Sequence, residues 1–236
     1  MIIDIVTIFP NFFNEFLTTS IVRRAIEKEK VIINVHDLRD YSDNKHKQID
    51  DTPYGGGVGM LMTFPPFYRI INKLKKENSK VIFLTPQGKL FNQEKAVSLS
   101  NEEHLILLCG HYEGVDARVL ELVDYEISIG DYVLTGGEIP AMIMADAIVR
   151  LLPGVIMEES HKEDSLSNDR LKYPQYTKPE EFMGYNVPEV LRSGHHGNIA
   201  KYRELMALKT TIEKRPYLIE NTPLTKREVE ILKSNK

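Results

Sequence analysis

The sequence predicts an α/β protein: a mostly parallel sheet with helices on both faces, followed by a small, mainly helical C-terminal domain. Over the first two-thirds of the 236 residues, short apolar runs alternate with longer amphipathic runs. Such alternation is typical of parallel sheets covered on both faces. With 42% hydrophobic residues the chain is able to bury a proper core. No apolar run reaches the roughly 18 residues of a membrane-spanning helix, so we expect no membrane partner.

The elements follow in order along the chain. Met1–Ile5 is apolar with no basic segment before it, so we expect a first strand there and no signal peptide. The predicted strands are Ile2–Phe9, Val31–His36, Val81–Thr85, Leu105–Cys109 and Tyr125–Ile129. The predicted helices between them are Asn11–Lys28, Pro65–Glu77, Asn92–Ser100, Asp116–Leu122 and Glu138–Leu152. Pro153 and Gly154 are expected to stop the last of these helices.

The pattern changes after the last predicted helix. Residues 157–172 are charged, polar and without periodicity, which predicts a flexible linker between a domain at 1–156 and a second domain at 173–236. The second domain carries the predicted helices Asn198–Leu208 and Thr225–Lys233. Thr225 with Glu228 three residues later is the pattern of a capping box.

Charge and cysteine content narrow the function classes. The net charge is −4, but from Lys172 onward 12 lysines and arginines stand against 8 glutamates. A basic C-terminal third is compatible with a nucleic-acid-facing module and equally with a solvated helical domain. The lone Cys109 excludes a disulfide framework and a cysteine-pair zinc site, and indicates a cytoplasmic setting. The pair His195–His196 lacks further clustered ligands, which favours a loop or RNA contact over a metal site.

Two common nucleotide-binding signatures are absent. The turn after the first strand contains Phe9, Pro10, Asn11 and Phe12, without the glycine pattern of a Rossmann dinucleotide site. No P-loop motif occurs anywhere in the sequence.

Four glycine-rich segments instead mark a candidate site. They are 50–60, 84–88, 109–114 and 127–137. The last one, read alone, is either a tight strand-to-helix connection or a loop whose backbone touches a flat ligand closely. Because α/β sheets bind ligands at the carboxyl ends of their strands, the four segments together favour a single site.

These motifs, in this order, closely resemble bacterial tRNA (guanine-N1)-methyltransferases of the SPOUT superfamily. The later family signatures are also present, at 146–150, 153–155, 174–179 and 187–191. The resemblance covers essentially the whole chain. It implies methyl transfer from S-adenosylmethionine to N1 of the guanosine immediately 3′ of the anticodon, position 37. It also implies a deep trefoil knot formed by Leu84–Gly88, Gly110–Gly114 and Ile129–Gly137, which periodicity alone does not predict.

The resemblance assigns a methyl-donor site. Its expected residues are Leu84, Thr85, Pro86, Gly110, Tyr112, Glu113, Ile129, Gly130, Asp131, Tyr132, Val133, Leu134, Gly136 and Gly137. Apolar side chains among them suit an adenine ring, and the glycines allow the backbone to approach it.

Two further residues are expected to act on the acceptor base. Guanine N1 carries a proton and is a poor nucleophile until a base removes it. By resemblance that base is Asp164, and Arg150 stabilises the charge that develops on guanine O6. From the residues alone, Asp164 is a solvated linker acid, and Arg150 is a cation near a helix C-terminus.

The resemblance also implies RNA contacts and partners. The target base and its 5′ neighbour are expected to meet His46, Asp50, Gly55, Gly56, Gly57 and Gly59. The anticodon stem is expected to meet Lys201, Arg203, Lys214 and Arg215 through its phosphates. The family is a homodimer whose active site lies at the subunit interface, and it uses magnesium, for which no cage is legible. Arg192 and Tyr202 depart from the usual leucine and tryptophan.

Three alternatives remain at this point. The first is a SPOUT enzyme that methylates a different RNA or base with the same donor site. The second is a non-catalytic RNA-binding protein. The third is a small-molecule α/β enzyme, which leaves the basic C-terminal third unexplained.

Overall fold

A computed structural model describes residues 1–157, 164–166 and 169–234. Residues 158–163 and 167–168 of the predicted linker, and residues 235–236, lie outside this description. The chain divides into two compact units, Met1–Met157 and Glu158–Lys236. The division into catalytic domain, linker and RNA-binding domain stays a prediction.

The elements of the described residues are as follows. The strands are β1 (Ile2–Thr7), β2 (Ile32–Asp37), β3 (Asp50–Asp51), β4 (Leu61–Met62), β5 (Ser79–Leu90), β6 (His104–Cys109), β7 (Tyr125–Ser128), β8 (Glu181–Phe182) and β9 (Tyr185–Asn186). The α-helices are α1 (Asn14–Thr18), α2 (Ser20–Glu27), α3 (Phe64–Leu74), α4 (Gln93–Ser100), α5 (Glu138–Val149), α6 (Glu189–Arg192), α7 (His196–Lys214), α8 (Tyr217–Asn221) and α9 (Lys226–Lys233). Turns of 3₁₀ helix cover Pro10–Phe13, Leu38–Tyr41 and Ala117–Leu122.

The first unit is built on a five-stranded sheet. Its order is β2-β1-β6-β5-β7, and every neighbouring pair is parallel. The prediction of an α/β fold with a mostly parallel sheet is therefore confirmed. All six residues of the central β6 are buried, as a strand covered on both faces requires.

Two apolar clusters cover the two faces of the sheet. Ile5 and Leu107 pack with Met144 of α5 in one cluster, whereas Val6 and Leu108 pack with Phe67 of α3 in the other. Because successive strand residues point to opposite faces, one apolar run supplies both cores. The two layers fix the carboxyl ends of the strands relative to one another.

A buried polar cluster lies within the same sheet. Asp4, which is 4% exposed, accepts hydrogen bonds from Asn34 at 2.9 Å and meets His36 at 2.8 Å and His104 at 2.7 Å. The His104 ring also contacts Ser79 Oγ through Nδ1 at 2.7 Å. Burial works to raise the pKa of Asp4, but these hydrogen bonds outweigh it and lower the pKa to about 2.

The predicted helix Asn11–Lys28 is wrong as a single element. A 3₁₀ turn, α1 and α2 replace it, with Thr19 extended and Ser20 at a φ of 55°. The hydroxyls of Thr18 and Thr19 donate to main-chain carbonyls of the preceding turn. Side-chain bonds of this kind compete with helix continuation. The predicted helix Asp116–Leu122 is likewise a 3₁₀ turn, capped by Asp116.

The second unit contains a short hairpin and a group of helices. β8 and β9 pair antiparallel, and α7 is its longest described helix. The predicted capping box is confirmed: Thr225 and Glu228 exchange hydrogen bonds of 2.7 and 3.2 Å at the start of α9. Within the part of the chain that the structure describes, no helix is both long and apolar enough to cross a membrane.

Candidate functional site

A cavity of about 500 Å³ opens beside the middle of β5 and the carboxyl ends of β6 and β7. Its lining comes mainly from four stretches of chain, 83–87, 110–115, 127–130 and 132–137. This is the edge of a parallel sheet where ligand sites are found. Three of the four glycine-rich segments singled out from the sequence therefore meet in one place.

The structure brings nearly all of the expected donor-site residues to this cavity. Those that line it are Leu84, Thr85, Pro86, Gly110, Tyr112, Glu113, Ile129, Gly130, Tyr132, Val133, Leu134, Gly136 and Gly137. Asp131 is exposed and is not part of the lining. The role of each residue stays a prediction.

The first wall of the cavity is a bulge in β5. Leu84 and Lys89 both face Ile127 of β7, so residues 85–88 form a bulge between them. A Cβ on Gly88 would overlap the backbone of Glu126 and Ile127, so this position tolerates only glycine. Thr85 and Pro86 of the bulge line the cavity.

The second wall is the turn that follows β7. Gly130 N donates to Ser128 Oγ at 3.2 Å, and Tyr132 N donates to the carbonyl of Gly130 at 3.0 Å. The turn leaves Val133 87% exposed, with Leu134 more protected. An exposed apolar side chain beside a cavity is what an uncovered ligand-binding surface presents.

The third wall is the segment after β6. Tyr112 adopts a left-handed backbone conformation, with φ of 59°, which is uncommon for a non-glycine residue. Glu113 N donates to the Met60 carbonyl at 3.1 Å, and Met62 N donates to the Gly114 carbonyl at 2.9 Å. These bonds place the fourth glycine-rich segment beside the cavity.

That fourth segment forms an open loop between β3 and β4. Gly55, Gly56, Gly57 and Gly59 all have positive φ, and the side chains of Tyr54 and Val58 are 103% and 90% exposed. Asp50 begins β3, and His46 lies exposed in the turn before it. The loop presents backbone and an aromatic ring to solvent at the edge of the cavity.

A buried carboxylate, which sequence reasoning missed, lies behind the cavity wall. Glu138, the first residue of α5, is 4% exposed. Its Oε1 accepts a hydrogen bond from Thr7 Oγ1 at 2.6 Å, and its Oε2 lies 2.7 Å from His111 Nε2. Burial raises the pKa of the Cys109 thiol well above its usual value, and the negative charge of Glu138 adds to this shift. A glutamate directly after two glycines gives no sign of burial in the sequence.

The two predicted catalytic residues belong to different units. Arg150 is the C-cap of α5, and its N–H donates to the Asp146 carbonyl at 3.2 Å. Asp164 lies among the described residues of the second unit, with its carboxylate 3.8 Å from Lys172 Nζ.

The predicted stem-binding residues lie on the second unit. Lys201, Arg203, Lys214 and Arg215 are all exposed on or next to α7. The guanidinium of Arg203 lies over the ring of Tyr173, with 4.9 Å to its centroid. Of the two residues that depart from the family pattern, Tyr202 has its pKa raised by burial and by neighbouring Tyr176. Arg192 forms an ion pair with Glu180 at 3.0 Å.

An exposed apolar patch borders the cavity on the first unit. We call it the α5 patch; it consists of Phe9, Phe12, Ile139 and Ile143, which are between 40% and 50% exposed. A second cavity of about 280 Å³ opens between Phe9, Phe12 and Ile139, with His111 and Glu138 in its wall.

No group of three or more His, Cys, Asp or Glu side chains that could bind a metal occurs within residues 1–157, 164–166 and 169–234.

Comparison with known proteins gives one consistent family. The family model of the tRNA (Guanine-1)-methyltransferase TrmD matches residues 1–221. A tRNA (guanine-N(1)-)-methyltransferase of Acholeplasma laidlawii is 58% identical over 233 residues, which cover 98% of this chain and 96% of that protein. Proteins of the same name from Aster yellows witches'-broom phytoplasma and Dictyoglomus turgidum are 56% and 52% identical, over 100% and 99% of this chain and 98% and 96% of those proteins.

Proposed function

The chain belongs to the family of tRNA (guanine-1)-methyltransferases, and on that premise we propose that it transfers the methyl group of S-adenosylmethionine to guanosine 37 of tRNA. The enzyme class and the tRNA substrate follow from the family. The observation that carries the finer proposal is the cavity beside the bulge of β5 and the carboxyl ends of β6 and β7, because three glycine-rich segments converge there.

The cavity fits the donor in size and in chemistry. A volume of about 500 Å³ lies within the range of small-molecule sites. Ile129, Val133 and Leu134 offer apolar surface to the adenine, and the main chain around Gly110 and Gly130 offers polar groups to its edge. When bound, the donor supplies a methyl group on a positively charged sulfur, which an attacking nitrogen displaces in line.

Two side chains act on the acceptor base in this proposal. Asp164 takes the proton from guanine N1, which turns the ring nitrogen into a competent nucleophile. Arg150 stabilises the negative charge that spreads to O6 as the proton leaves. Most of the remaining rate enhancement comes from alignment of N1 with the methyl carbon and from exclusion of water.

Exposed groups on both units receive the RNA. The open loop between β3 and β4, with Tyr54 at its tip, faces the flipped guanosine and its 5′ neighbour together with His46 and Asp50. Lys201, Arg203, Lys214 and Arg215 neutralise stem phosphates. Their exposure on one long helix and its C-terminal end supports this assignment.

We propose that the enzyme is a homodimer in which the α5 patch forms the subunit interface. Contiguous exposed apolar side chains of this kind mark interaction surfaces. In this proposal the partner's linker completes the active site, as the family resemblance implies. We also propose the knotted topology that the family resemblance implies. The crossover from the edge strand β7 to α5, which packs on β1 and β6, is compatible with it.

The setting follows from the substrate. Since tRNA is modified in the cytoplasm, we propose that the enzyme works there. The magnesium implied by the family resemblance finds no cage among the described residues.

The direct test is methylation of unmodified tRNA transcripts with labelled S-adenosylmethionine. A transcript with guanosine at position 37 is expected to accept one methyl group on N1, located by nuclease digestion and mass spectrometry. A matched transcript with adenosine at that position is expected to remain unlabelled. Labelling of both, or at another nucleotide, favours the alternative of a SPOUT methyltransferase with a different RNA target. No transfer to either rejects the proposal.

A further inference from the structure

A line of hydrogen-bonded side chains, Thr7–Glu138–His111, connects three segments at the carboxyl edge of the sheet. Thr7 ends β1, His111 follows β6, and Glu138 begins α5. Phe9 N donates to Thr7 Oγ1 at 2.9 Å, and the Thr7 hydroxyl donates to Glu138 at 2.6 Å. The Glu138 carboxylate then meets the His111 ring at 2.7 Å. Four groups from distant parts of the sequence thus form one hydrogen-bonded line.

The line is buried, which makes it costly to leave unsatisfied. Thr7 is 0% exposed, and the side chains of Glu138 and His111 are 5% and 15% exposed. A carboxylate in such a place survives only with partners for both of its oxygens. Thr7 takes one oxygen and His111 takes the other, so Glu138 fixes the two partners relative to each other.

The fixed ring of His111 controls the cavity wall next to it. His111 lines both the large cavity and the smaller one, and it precedes Tyr112 and Glu113 directly. Phe9 packs edge-on against the ring with 4.9 Å between centroids, and His111 N donates to Met62 Sδ at 3.1 Å. These contacts hold the ring in one position and thereby also fix the left-handed turn at Tyr112.

The second side of the cavity depends on the same pair. A Cβ on Gly136 would overlap His111 Nε2, and it would also meet Glu138 Oε2 at 2.6 Å. The ring and the carboxylate thus fill the space behind Gly136. The pair supports two donor-site segments at once, 110–114 and 136–137.

We propose that His111, Glu138 and Thr7 are positioning residues that set donor affinity by fixing the segment 110–114 against Gly136. The inference rests on the proposed function, because it takes the large cavity as the donor site. None of the three side chains is required to touch the reacting atoms. Their loss therefore weakens donor binding and leaves the chemical step intact once the donor is bound.

The test compares binding of S-adenosylhomocysteine, by calorimetry, to the full-length enzyme and its variants. Glu138→Gln and Thr7→Val each remove one charge-assisted or hydroxyl hydrogen bond, and about tenfold weaker binding is expected from each. Thr7→Ser keeps the donating hydroxyl and is expected to bind within about twofold of the wild type, since it restores the same bond. At saturating donor concentration, the turnover rate of Glu138→Gln and Thr7→Val is expected to reach the wild-type value, and their KM for tRNA is expected to stay unchanged.

Asp4→Asn is the matched control. Asp4 pairs with buried His104 at 2.7 Å, as Glu138 pairs with His111, but it does not line either cavity. It is expected to lower the melting temperature without changing donor affinity. The inference is overturned if Glu138→Gln and Thr7→Val bind as tightly as the wild type, or if Asp4→Asn weakens binding equally. Failure of the wild type to bind instead rejects the donor site itself, and this inference with it.

Discussion

Gly137 donates its main-chain N–H to the carbonyl of Gly110 at 3.0 Å. This bond joins the segment after β6 to the start of α5, and both glycines line the large cavity. The approach is close enough that a Cβ on Gly137 would lie 2.6 Å from Cys109 Cα and 3.0 Å from Gly110 N. The neighbouring atoms are backbone, so they cannot turn aside as a flexible side chain would.

Gly137→Ala is therefore expected to destabilise the protein by about 1–3 kcal/mol, the range for overpacked sites, and to abolish tight donor binding. Chemical denaturation and calorimetry with S-adenosylhomocysteine measure the two effects. Gly197→Ala is the control, because a Cβ there meets nothing within 4 Å in the first turn of α7. Gly197→Ala is expected to be neutral or stabilising. Equal behaviour of the two variants would contradict the close-packing argument.

The buried cluster around Asp4 predicts how stability depends on pH. The pKa of Asp4 in the fold is about 2, below its ordinary value of 3.8. Ionised Asp4 thus stabilises the fold above about pH 4, and this contribution of about 2 kcal/mol is lost as the pH falls from 4 towards 2. The free energy of unfolding, measured against pH, is expected to fall steeply in this window.

Asp4→Asn is expected to flatten that dependence, because the amide does not titrate. Asp131→Asn, which alters an exposed carboxylate, serves as the control and is expected to keep the wild-type slope. An unchanged slope between pH 4 and 2 in Asp4→Asn would remove Asp4 as its source.

The sheet could be predicted from the sequence because its signal is local. The apolar run Leu105–Cys109 contains no polar break, which is typical of a strand buried on both faces, and it becomes the central strand β6. The glycine-rich segments mark loops for a similar reason, since glycine is the residue that tolerates positive φ and close backbone approach. Parallel pairing then brings those loops to one edge without further information.

The rest depends on contacts between residues distant in sequence. Nothing near Glu138 indicates that Thr7, 131 positions earlier, satisfies its carboxylate. The break at Thr19–Ser20 was also missed, because amphipathic periodicity continues across it while the hydroxyls bond to the preceding turn. Exposure of Phe9 and Phe12 is equally invisible, since apolar residues are expected inside.

The catalytic assignment predicts a separation of binding from turnover. Asp164→Asn is expected to lower kcat by about 10²–10⁴, the usual contribution of a general base, and to leave donor affinity unchanged. Single-turnover methylation of tRNA and calorimetry measure the two quantities. Asp169→Asn changes a nearby carboxylate that accepts a hydrogen bond from Thr222 at 2.6 Å, and it is expected to keep most of the activity. An active Asp164→Asn enzyme would refute Asp164 as the base.

The α5 patch predicts the oligomeric state. Ile139 and Ile143 are one helical turn apart on the exposed side of α5, and their exposure of 40% and 42% leaves apolar area that a partner would cover. A lysine at position 143 would bury a charge in that interface, so Ile143→Lys is expected to raise the dissociation constant of the dimer at least about tenfold. Sedimentation velocity over a concentration series measures it.

Val97→Lys is the matched control for the interface. Val97 is 46% exposed on α4, outside the α5 patch. Val97→Lys therefore adds the same charge at a similarly exposed position, and it is expected to leave the dimer intact. In the proposed dimer, Arg150 and Asp164 of one active site come from different subunits. Methylation activity per subunit is therefore expected to fall with dilution in Ile143→Lys and not in Val97→Lys. A monomeric wild type with full activity would contradict both the interface and the shared active site. A dimeric Ile143→Lys enzyme would move the interface elsewhere on the first unit or to the second.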